Sequence, residues 1–123
     1  MLRLKPSVLI VDELEETREV LQTVLERHGV DAMTTGEVEQ GLRLAREHHP
    51  DLIVLDLEME SSDDAEVRQG FEEETIAQSK PLVVLGTARR NMPVGGQFVA
   101  KPYHYGALVR KIEQLLEHST ARP

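Results

Sequence analysis

The chain has 123 residues, enough for one hydrophobic core, and we expect residues 1–123 to form a single domain. Its net charge of −8 opposes non-specific binding to nucleic acid or to an anionic membrane. Without cysteine there can be no disulfide, no thiolate nucleophile and no cysteine-ligated zinc, which is compatible with a cytoplasmic protein. The apolar run at residues 8–11 is too short for a secretory signal or a membrane span.

The first part of the chain alternates predicted strands and helices. Residues 7–11 form a continuous apolar run, which is typical of a strand buried on both faces of a parallel sheet. Apolar residues at helical spacing predict a helix over residues 15–28, and Gly29 follows as its stop. Residues 30–34 predict a weaker strand nearer an edge. Residues 37–48 predict the second helix, although Gly41 in its interior disfavours it.

The second part continues this alternation and then departs from it. Residues 51–57 and 81–85 are apolar runs that predict buried strands, and residues 97–100 predict a fifth strand. A helix is predicted over residues 65–78 and another over residues 107–118. The apolar set predicted for the helix at 65–78 is thin and consists of Val67, Phe71 and Ile76.

Buried strands that alternate with amphipathic helices predict an α/β fold with helices on both faces of a parallel sheet. Right-handed crossovers place the carboxyl ends of all strands at one edge, where ligands of such sheets bind. Those ends carry Asp12 with Glu13, Asp56, Thr87 and Lys101. We therefore expect three acids, a hydroxyl and an ammonium to converge there. The histidines at 28, 48, 49, 104 and 118 have no metal-ligand spacing, so we expect them at helix ends or on the surface.

Four segments in register resemble the receiver domain of bacterial two-component response regulators. They are Val8-Leu9-Ile10-Val11-Asp12-Glu13, Pro50-Asp51-Leu52-Ile53-Val54-Leu55-Asp56, Pro81-Leu82-Val83-Val84-Leu85-Gly86-Thr87-Ala88 and Phe98-Val99-Ala100-Lys101-Pro102. The resemblance covers nearly the whole chain. It implies a doubly wound, flavodoxin-like receiver fold, with five parallel strands in the order 2-1-3-4-5.

The resemblance also implies roles for individual residues. Asp56 would accept a phosphoryl group from a histidine kinase, a phosphotransfer protein or a small phosphodonor. Asp12, Glu13 and Asp56 would hold Mg²⁺, with the backbone carbonyl of Glu58. Thr87 and Lys101 would contact the phosphoryl group, and Phe98 would be the aromatic whose rotamer reports the state of the site.

The chemistry of phosphoryl transfer fits these residue types. A carboxylate and a phosphoryl group are both anionic, so a divalent cation and a lysine are needed to let them approach. Each residue alone also has an ordinary structural explanation. The acids could sit at a helix N-terminus or in a turn, Lys101 could be solvated, Thr87 could be a cap and Phe98 could be core. These explanations do not account for the coincidence of all the residues.

The loop after Asp56 departs from the family pattern. Glu60 and Asp64 stand where the family usually has a proline and a glycine, so we expect a more acidic and less rigid loop. We expect Glu58 to lie close to the phosphoryl group and to alter the lifetime of the phosphoryl-aspartate, by contacting Mg²⁺ or displacing water. Gly86 stands where the family usually has the hydroxyl. Either a bulge or an altered turn brings Thr87 to that place, or Gly86 occupies it and the hydroxyl is missing; we favour Thr87, because Gly86 tolerates the dihedral angles that a bulge needs.

The segment between Thr87 and Lys101 is the largest departure. Residues 88–100 must supply a strand and contain Pro93, Gly95 and Gly96, which oppose a helix. We predict that the fourth helix of the family is absent or reduced to a turn. Because that helix contributes to the family's usual output surface, an unusual downstream partner or a homodimer is favoured.

Three functions compete on these grounds. The first is a phosphorylatable signalling switch in the cytoplasm that acts by protein contact and is not an enzyme on external substrates. The second is a pseudo-receiver, which has the same fold and binds partners without phosphorylation. The third, a Mg²⁺-dependent phosphatase with Asp56 as nucleophile, is the weakest, because Glu58 is a poor substitute for its second aspartate and no cap segment is present.

Overall fold

The structure is a computed structural model that describes residues 5–59, 64–89 and 92–120, without the side chains of residues 119 and 120. It contains five strands and four helices within those ranges. The strands are β1 (Ser7–Val11), β2 (Asp31–Thr35), β3 (Leu52–Asp56), β4 (Leu82–Gly86) and β5 (Gly96–Ala100). The helices are α1 (Glu15–Arg27), α2 (Val38–His48), α3 (Ala65–Gln78) and α4 (Tyr105–Thr120). Each element lies within two residues of its predicted bounds. No helix in these ranges is long and apolar enough to cross a membrane.

The five strands form one parallel sheet in the order β2-β1-β3-β4-β5, which confirms the predicted fold class and strand order. The three central strands are almost wholly buried, as their continuous apolar runs predict. The edge strands β2 and β5 are only partly buried. Because all five strands are parallel, their carboxyl ends lie along the same side of the sheet.

Hydrophobic cores lie on both faces of the sheet, because successive side chains of a strand point to opposite faces. Val8 and Ile10 of β1 pack on one face with residues of α1 and α4. Leu9 and Val11 pack on the other face with residues of α2 and α3. The helix faces that were predicted to be apolar supply most of these contacts.

Ile76 is the exception, and its prediction as a core residue is wrong. Its side chain is 64% exposed, whereas Thr75 is buried. The buried stripe of α3 runs through Val67, Phe71 and Thr75, which follow one another at four-residue spacing. Ile76 is one residue further along and is rotated off that stripe. The Thr75 hydroxyl is satisfied by donating to the backbone carbonyl of Phe71 at 3.0 Å.

The connection between β4 and β5 contains no helix in its described residues, 87–89 and 92–95, as predicted. A turn takes its place: the Gly96 N–H donates to the Pro93 carbonyl at 3.1 Å, and Gly95 adopts a φ of +83°. The Val94 N–H donates to a Glu72 carboxylate oxygen at 2.6 Å. This contact fastens the turn to α3.

Asp64 has a structural role at the start of α3. Its side chain accepts hydrogen bonds from the backbone N–H groups of Glu66 (2.9 Å) and Val67 (3.3 Å), so it is the N-cap of that helix. Glu60, the other unusual residue of this loop, lies outside the described residues.

Gly41 allows α2 to approach β1 closely. A Cβ atom at this position would lie 2.7 Å from Val11 Cγ2 and 3.0 Å from its Cγ1. Val11 is fully buried and β-branched, so it has little freedom to move away. From the sequence alone, Gly41 is a residue that disfavours the helix. In the structure, the close packing of α2 on β1 requires a glycine at this position.

We therefore expect Gly41→Ala to lower the free energy of unfolding by about 1 kcal/mol, since overpacking outweighs the gain in helix propensity. Gly106→Ala in α4 is the matched control. There the new Cβ would meet only the flexible Arg110 guanidinium at 3.5 Å, so stability should rise slightly. Urea unfolding of both variants measures the two signs. An equal gain in both would show that the contact with Val11 costs nothing.

Candidate functional site

The carboxyl ends of the strands bring the predicted site residues to one edge of the sheet. Asp56 ends β3, while Asp12, Thr87 and Lys101 directly follow β1, β4 and β5. Backbone hydrogen bonds continue the sheet past two of these ends. The Lys101 N–H donates to the Gly86 carbonyl at 2.9 Å, and the Asp12 N–H donates to the Thr35 carbonyl at 3.1 Å.

Asp56 and Lys101 form a largely buried ion pair at the centre of this edge. The Lys101 Nζ lies 2.8 Å from Asp56 Oδ1, and the two side chains are 20% and 2% exposed. The Glu58 N–H donates to the same Oδ1 at 2.9 Å. Burial lowers the pKa of Lys101, but the hydrogen bonds and charges of Asp56 and Glu58 more than compensate and raise it overall. Lys101 therefore stays charged beside Asp56.

Asp12 is a second buried carboxylate at this edge and is only 1% exposed. Its Oδ1 accepts a hydrogen bond from the Leu14 N–H at 2.9 Å. Burial raises the pKa of Asp12, the Leu14 N–H lowers it, and the negative charge of Asp56 raises it again, with a net rise. The positive charges of Lys101 and Arg18 lower this pKa but do not cancel the rise. Two buried carboxylates at one edge of the sheet suit a further cation.

Glu58 links three of the site's donors. One oxygen, Oε2, accepts hydrogen bonds from the Thr87 N–H at 3.0 Å and from the Thr87 hydroxyl. The other oxygen, Oε1, lies 3.2 Å from the Lys101 Nζ. The Thr87 hydroxyl, followed by the Lys101 ammonium, holds the pKa of Glu58 below its ordinary value. The sequence predicts Glu58 near the phosphoryl group but does not predict that its carboxylate contacts both Thr87 and Lys101.

Thr87, rather than Gly86, brings a hydroxyl into the cluster. Gly86 is the last residue of β4 and is buried, whereas Thr87 is exposed and contacts Glu58. Glu13 is exposed, and Phe98 packs partly into the core with the Arg89 guanidinium 5.0 Å from its ring centroid.

No three acidic or histidine side chains converge closely enough to hold a metal ion within the ranges 5–59, 64–89 and 92–120. The predicted Mg²⁺ ligands therefore form a partial set. Asp12 and Asp56 carry hard oxygen donors, and the charge of Asp56 contributes to the raised pKa of Asp12. The backbone of Glu58 lies beside Asp56. All five histidines are exposed, as predicted. This donor set fits a hard divalent cation that keeps several water ligands.

A cavity of about 440 Å³ opens beside the cluster. Its lining includes Asp12, Thr87 and Lys101 on one side and Leu14, Tyr103 and Tyr105 on the other. The tyrosine rings meet edge to face, with centroids 5.9 Å apart. Burial and the charge of Asp12 raise the pKa of Tyr103 to about 12, so it stays neutral. Sequence reasoning missed both tyrosines, although they are the chain's only two and closely follow Lys101.

The fold and this edge define a class of protein: a flavodoxin-like domain with an acid–lysine cluster at the carboxyl ends of its strands. The model of the response regulator receiver domain matches residues 8–113. The chain belongs to this receiver domain family.

Relatives and solved structures agree with this assignment. The polar-differentiation response regulator DivK of Brucella ovis is 29% identical over 79 residues, which cover 64% of this chain and 64% of DivK. The probable transcriptional regulator ycf27 of Cyanophora paradoxa is 29% identical over 119 residues, 94% of this chain but only 50% of that protein. The matches thus span less than two thirds of either relative's length.

Two solved structures share the fold. The N-terminal domain of an uncharacterized protein from Wolinella succinogenes has a TM-score of 0.80 at 22% identity, covering 97% of this chain and 99% of that chain. The receiver domain of the hybrid histidine kinase CckA has a TM-score of 0.73 at 20% identity, covering 89% of this chain and 98% of that chain.

The raised pKa of Asp12 leads to a prediction about stability. Because the pKa of Asp12 is higher in the folded protein than in the unfolded chain, ionisation of this carboxyl lowers the stability of the protein as pH rises from 3.8 through the folded-state pKa. Asp12→Asn removes this penalty and retains an oxygen that can accept the Leu14 N–H. We expect the free energy of unfolding of this variant at pH 7 to exceed that of the wild type by about 1 kcal/mol.

The gain of Asp12→Asn should disappear as pH falls below 3.8, because the wild-type carboxyl is then protonated in both the folded and the unfolded state. Asp31→Asn, at an exposed position of β2, is the control and should change little at any pH. Denaturant unfolding at several pH values measures both variants. Equal or lower stability of Asp12→Asn at pH 7 would contradict the cost that we assign to the buried charge of Asp12.

Proposed function

We propose that this receiver domain is a phosphorylatable two-component signalling switch in which Asp56 accepts the phosphoryl group. The observation that supports this most is the 2.8 Å contact between the buried Asp56 carboxylate and the Lys101 ammonium. A buried carboxylate with a fixed cation beside it, at the ligand-binding edge of a parallel sheet, is suited to receive an anionic group.

In the proposed reaction, an Asp56 oxygen attacks the phosphorus of a phosphohistidine. The new O–P bond forms as the P–N bond breaks, and the imidazole nitrogen takes a proton from solvent as it leaves. The Lys101 ammonium pairs with the phosphoryl oxygens, and the Thr87 hydroxyl donates to one of them. Positioning and charge neutralisation supply the catalysis, so no strong base is needed.

Mg²⁺ is the proposed cofactor. Asp12 and Asp56 would hold it with the backbone carbonyl of Glu58, and Glu13 would contribute from its exposed position next to Asp12. The bound ion would neutralise charge between the carboxylate and the incoming phosphoryl group. The repulsion between Asp12 and Asp56 supports this role, because one cation relieves it.

The proposed partners follow from the family. Receiver domains act as signalling switches rather than as enzymes on external substrates, so the phosphoryl donor would be a histidine kinase or a phosphotransfer protein. Output would be contact with a downstream protein, or a homodimer, in the cytoplasm. A direct role in nucleic-acid binding is disfavoured by the net charge of −8.

A pseudo-receiver is the second candidate, and Glu58 favours it. The Glu58 carboxylate already occupies the Thr87 and Lys101 donors that a phosphoryl group would use. If it cannot be displaced, the domain would bind its partner without phosphorylation.

Treatment with acetyl phosphate, followed by intact-protein mass spectrometry, distinguishes the two candidates. We expect the wild-type chain to gain one phosphoryl group with Mg²⁺ present and far less when EDTA removes the metal. Asp56→Asn, which keeps the size of the side chain but not its nucleophile, should gain none.

Asp31→Asn serves as the charge-matched control and should be modified like the wild type, since Asp31 is exposed on β2. Absence of modification in the wild type at millimolar Mg²⁺ would favour the pseudo-receiver. Modification of Asp56→Asn at the wild-type rate would contradict the assignment of Asp56.

A further inference from the structure

Three donors at the site face a single anion that the chain itself supplies. They are the Thr87 N–H, the Thr87 hydroxyl and the Lys101 ammonium, and all three contact the carboxylate of Glu58. Two of these contacts have ordinary hydrogen-bond lengths, 3.0 and 3.2 Å. The arrangement is an oxyanion-binding site that already holds an oxyanion.

Both the backbone and the side chain of Glu58 make hydrogen bonds within the site. Its backbone N–H donates to Asp56 Oδ1 at 2.9 Å, so the main chain is held against the phosphoryl acceptor. Its carboxylate then reaches across to the residues that follow β4 and β5. Lys101 divides its contacts between Asp56 Oδ1 at 2.8 Å and Glu58 Oε1 at 3.2 Å. One ammonium thus serves two carboxylates.

We propose that Glu58 is an internal competitor for the oxyanion site, which restrains modification of Asp56 by freely diffusing phosphodonors. This inference rests on the proposed phosphorylation of Asp56 and adds a residue that sets how readily an oxyanion enters the site. A phosphoryl oxygen and the Glu58 carboxylate are both negatively charged hydrogen-bond acceptors. Thr87 and Lys101 cannot donate their full set of hydrogen bonds to both groups at once. An incoming oxyanion must displace Glu58.

Displacement is feasible because the Glu58 side chain is 39% exposed and can swing into solvent. Its cost falls on every donor alike, but donors differ in how they meet it. A partner protein docks over a large surface and presents its phosphohistidine at a high effective concentration. A small phosphodonor at millimolar concentration has no such advantage, so the same cost leaves its modification of Asp56 slow.

Beryllofluoride, a non-covalent mimic of the phosphoryl group, tests the competition at equilibrium in the full-length chain with Mg²⁺. We compare the wild type with Glu58→Gln and Glu58→Ala. Glu58→Gln keeps the length and one acceptor oxygen but loses the charge, while Glu58→Ala removes the competitor. Affinity should rise in that order, reaching about tenfold in Glu58→Ala. The rate of modification by acetyl phosphate should rise in the same order.

Two measurements make this test independent of activity. Fluorine NMR reports bound beryllofluoride directly. The amide resonance of Thr87 should move in Glu58→Ala even without ligand, because its hydrogen bond to Glu58 is lost. Glu73→Gln is the charge-matched control, since Glu73 is exposed on α3 and away from the sheet edge, and it should behave as the wild type.

Each outcome decides between the two proposals. Equal or weaker binding by Glu58→Ala, with the wild type still modified, overturns the competition and leaves the switch function intact. Binding by Glu58→Ala alone supports the competition, but overturns the switch function of the wild type. Failure of the wild type and all variants to bind overturns both proposals.

Discussion

The ion pair between Asp56 and Lys101 is the interaction on which the rest of the site depends. Both groups leave water when the strands assemble, and their mutual attraction must offset that loss. The pair joins the end of β3 to the residue after β5, although β4 lies between these strands. Asp12 adds a second buried carboxylate, and burial and the charge of Asp56 raise its pKa despite the positive charges of Lys101 and Arg18. Such an arrangement costs stability and leaves carboxylate oxygens that suit a cation.

The missing helix changes what this domain can present to partners. A turn at residues 93–96 replaces it and is fastened to α3 through Glu72 and Val94. The edge strand β5 is only partly buried, and Val94 is 67% exposed. A surface built in this way differs from that of a domain with five helices.

Much of the fold could be read from the sequence because its signals are local. Continuous apolar runs identified β1, β3 and β4, and the strand order followed from the resemblance to the receiver domain family. Pro93, Gly95 and Gly96 correctly indicated the lost helix. Ile76 was misassigned because α3 is only weakly amphipathic, so a one-residue rotation decides which side chain is buried.

The parts of the site that sequence could not supply are those set by distant contacts. Asp12, Asp56, Thr87 and Lys101 were predictable as strand ends. The direction of the Glu58 side chain was not, since it depends on Thr87 and Lys101, which are 29 and 43 residues away. The close packing of Gly41 on Val11 was hidden for the same reason. Such contacts exist only once the sheet has formed.

The most direct test of the central claim is a structure of the full chain with Mg²⁺ and beryllofluoride. We expect the mimic on an Asp56 carboxylate oxygen, in contact with the Thr87 hydroxyl and the Lys101 ammonium, with the Glu58 carboxylate displaced. An unmodified Asp56 under saturating ligand, with Glu58 still bridging Thr87 and Lys101, would contradict it.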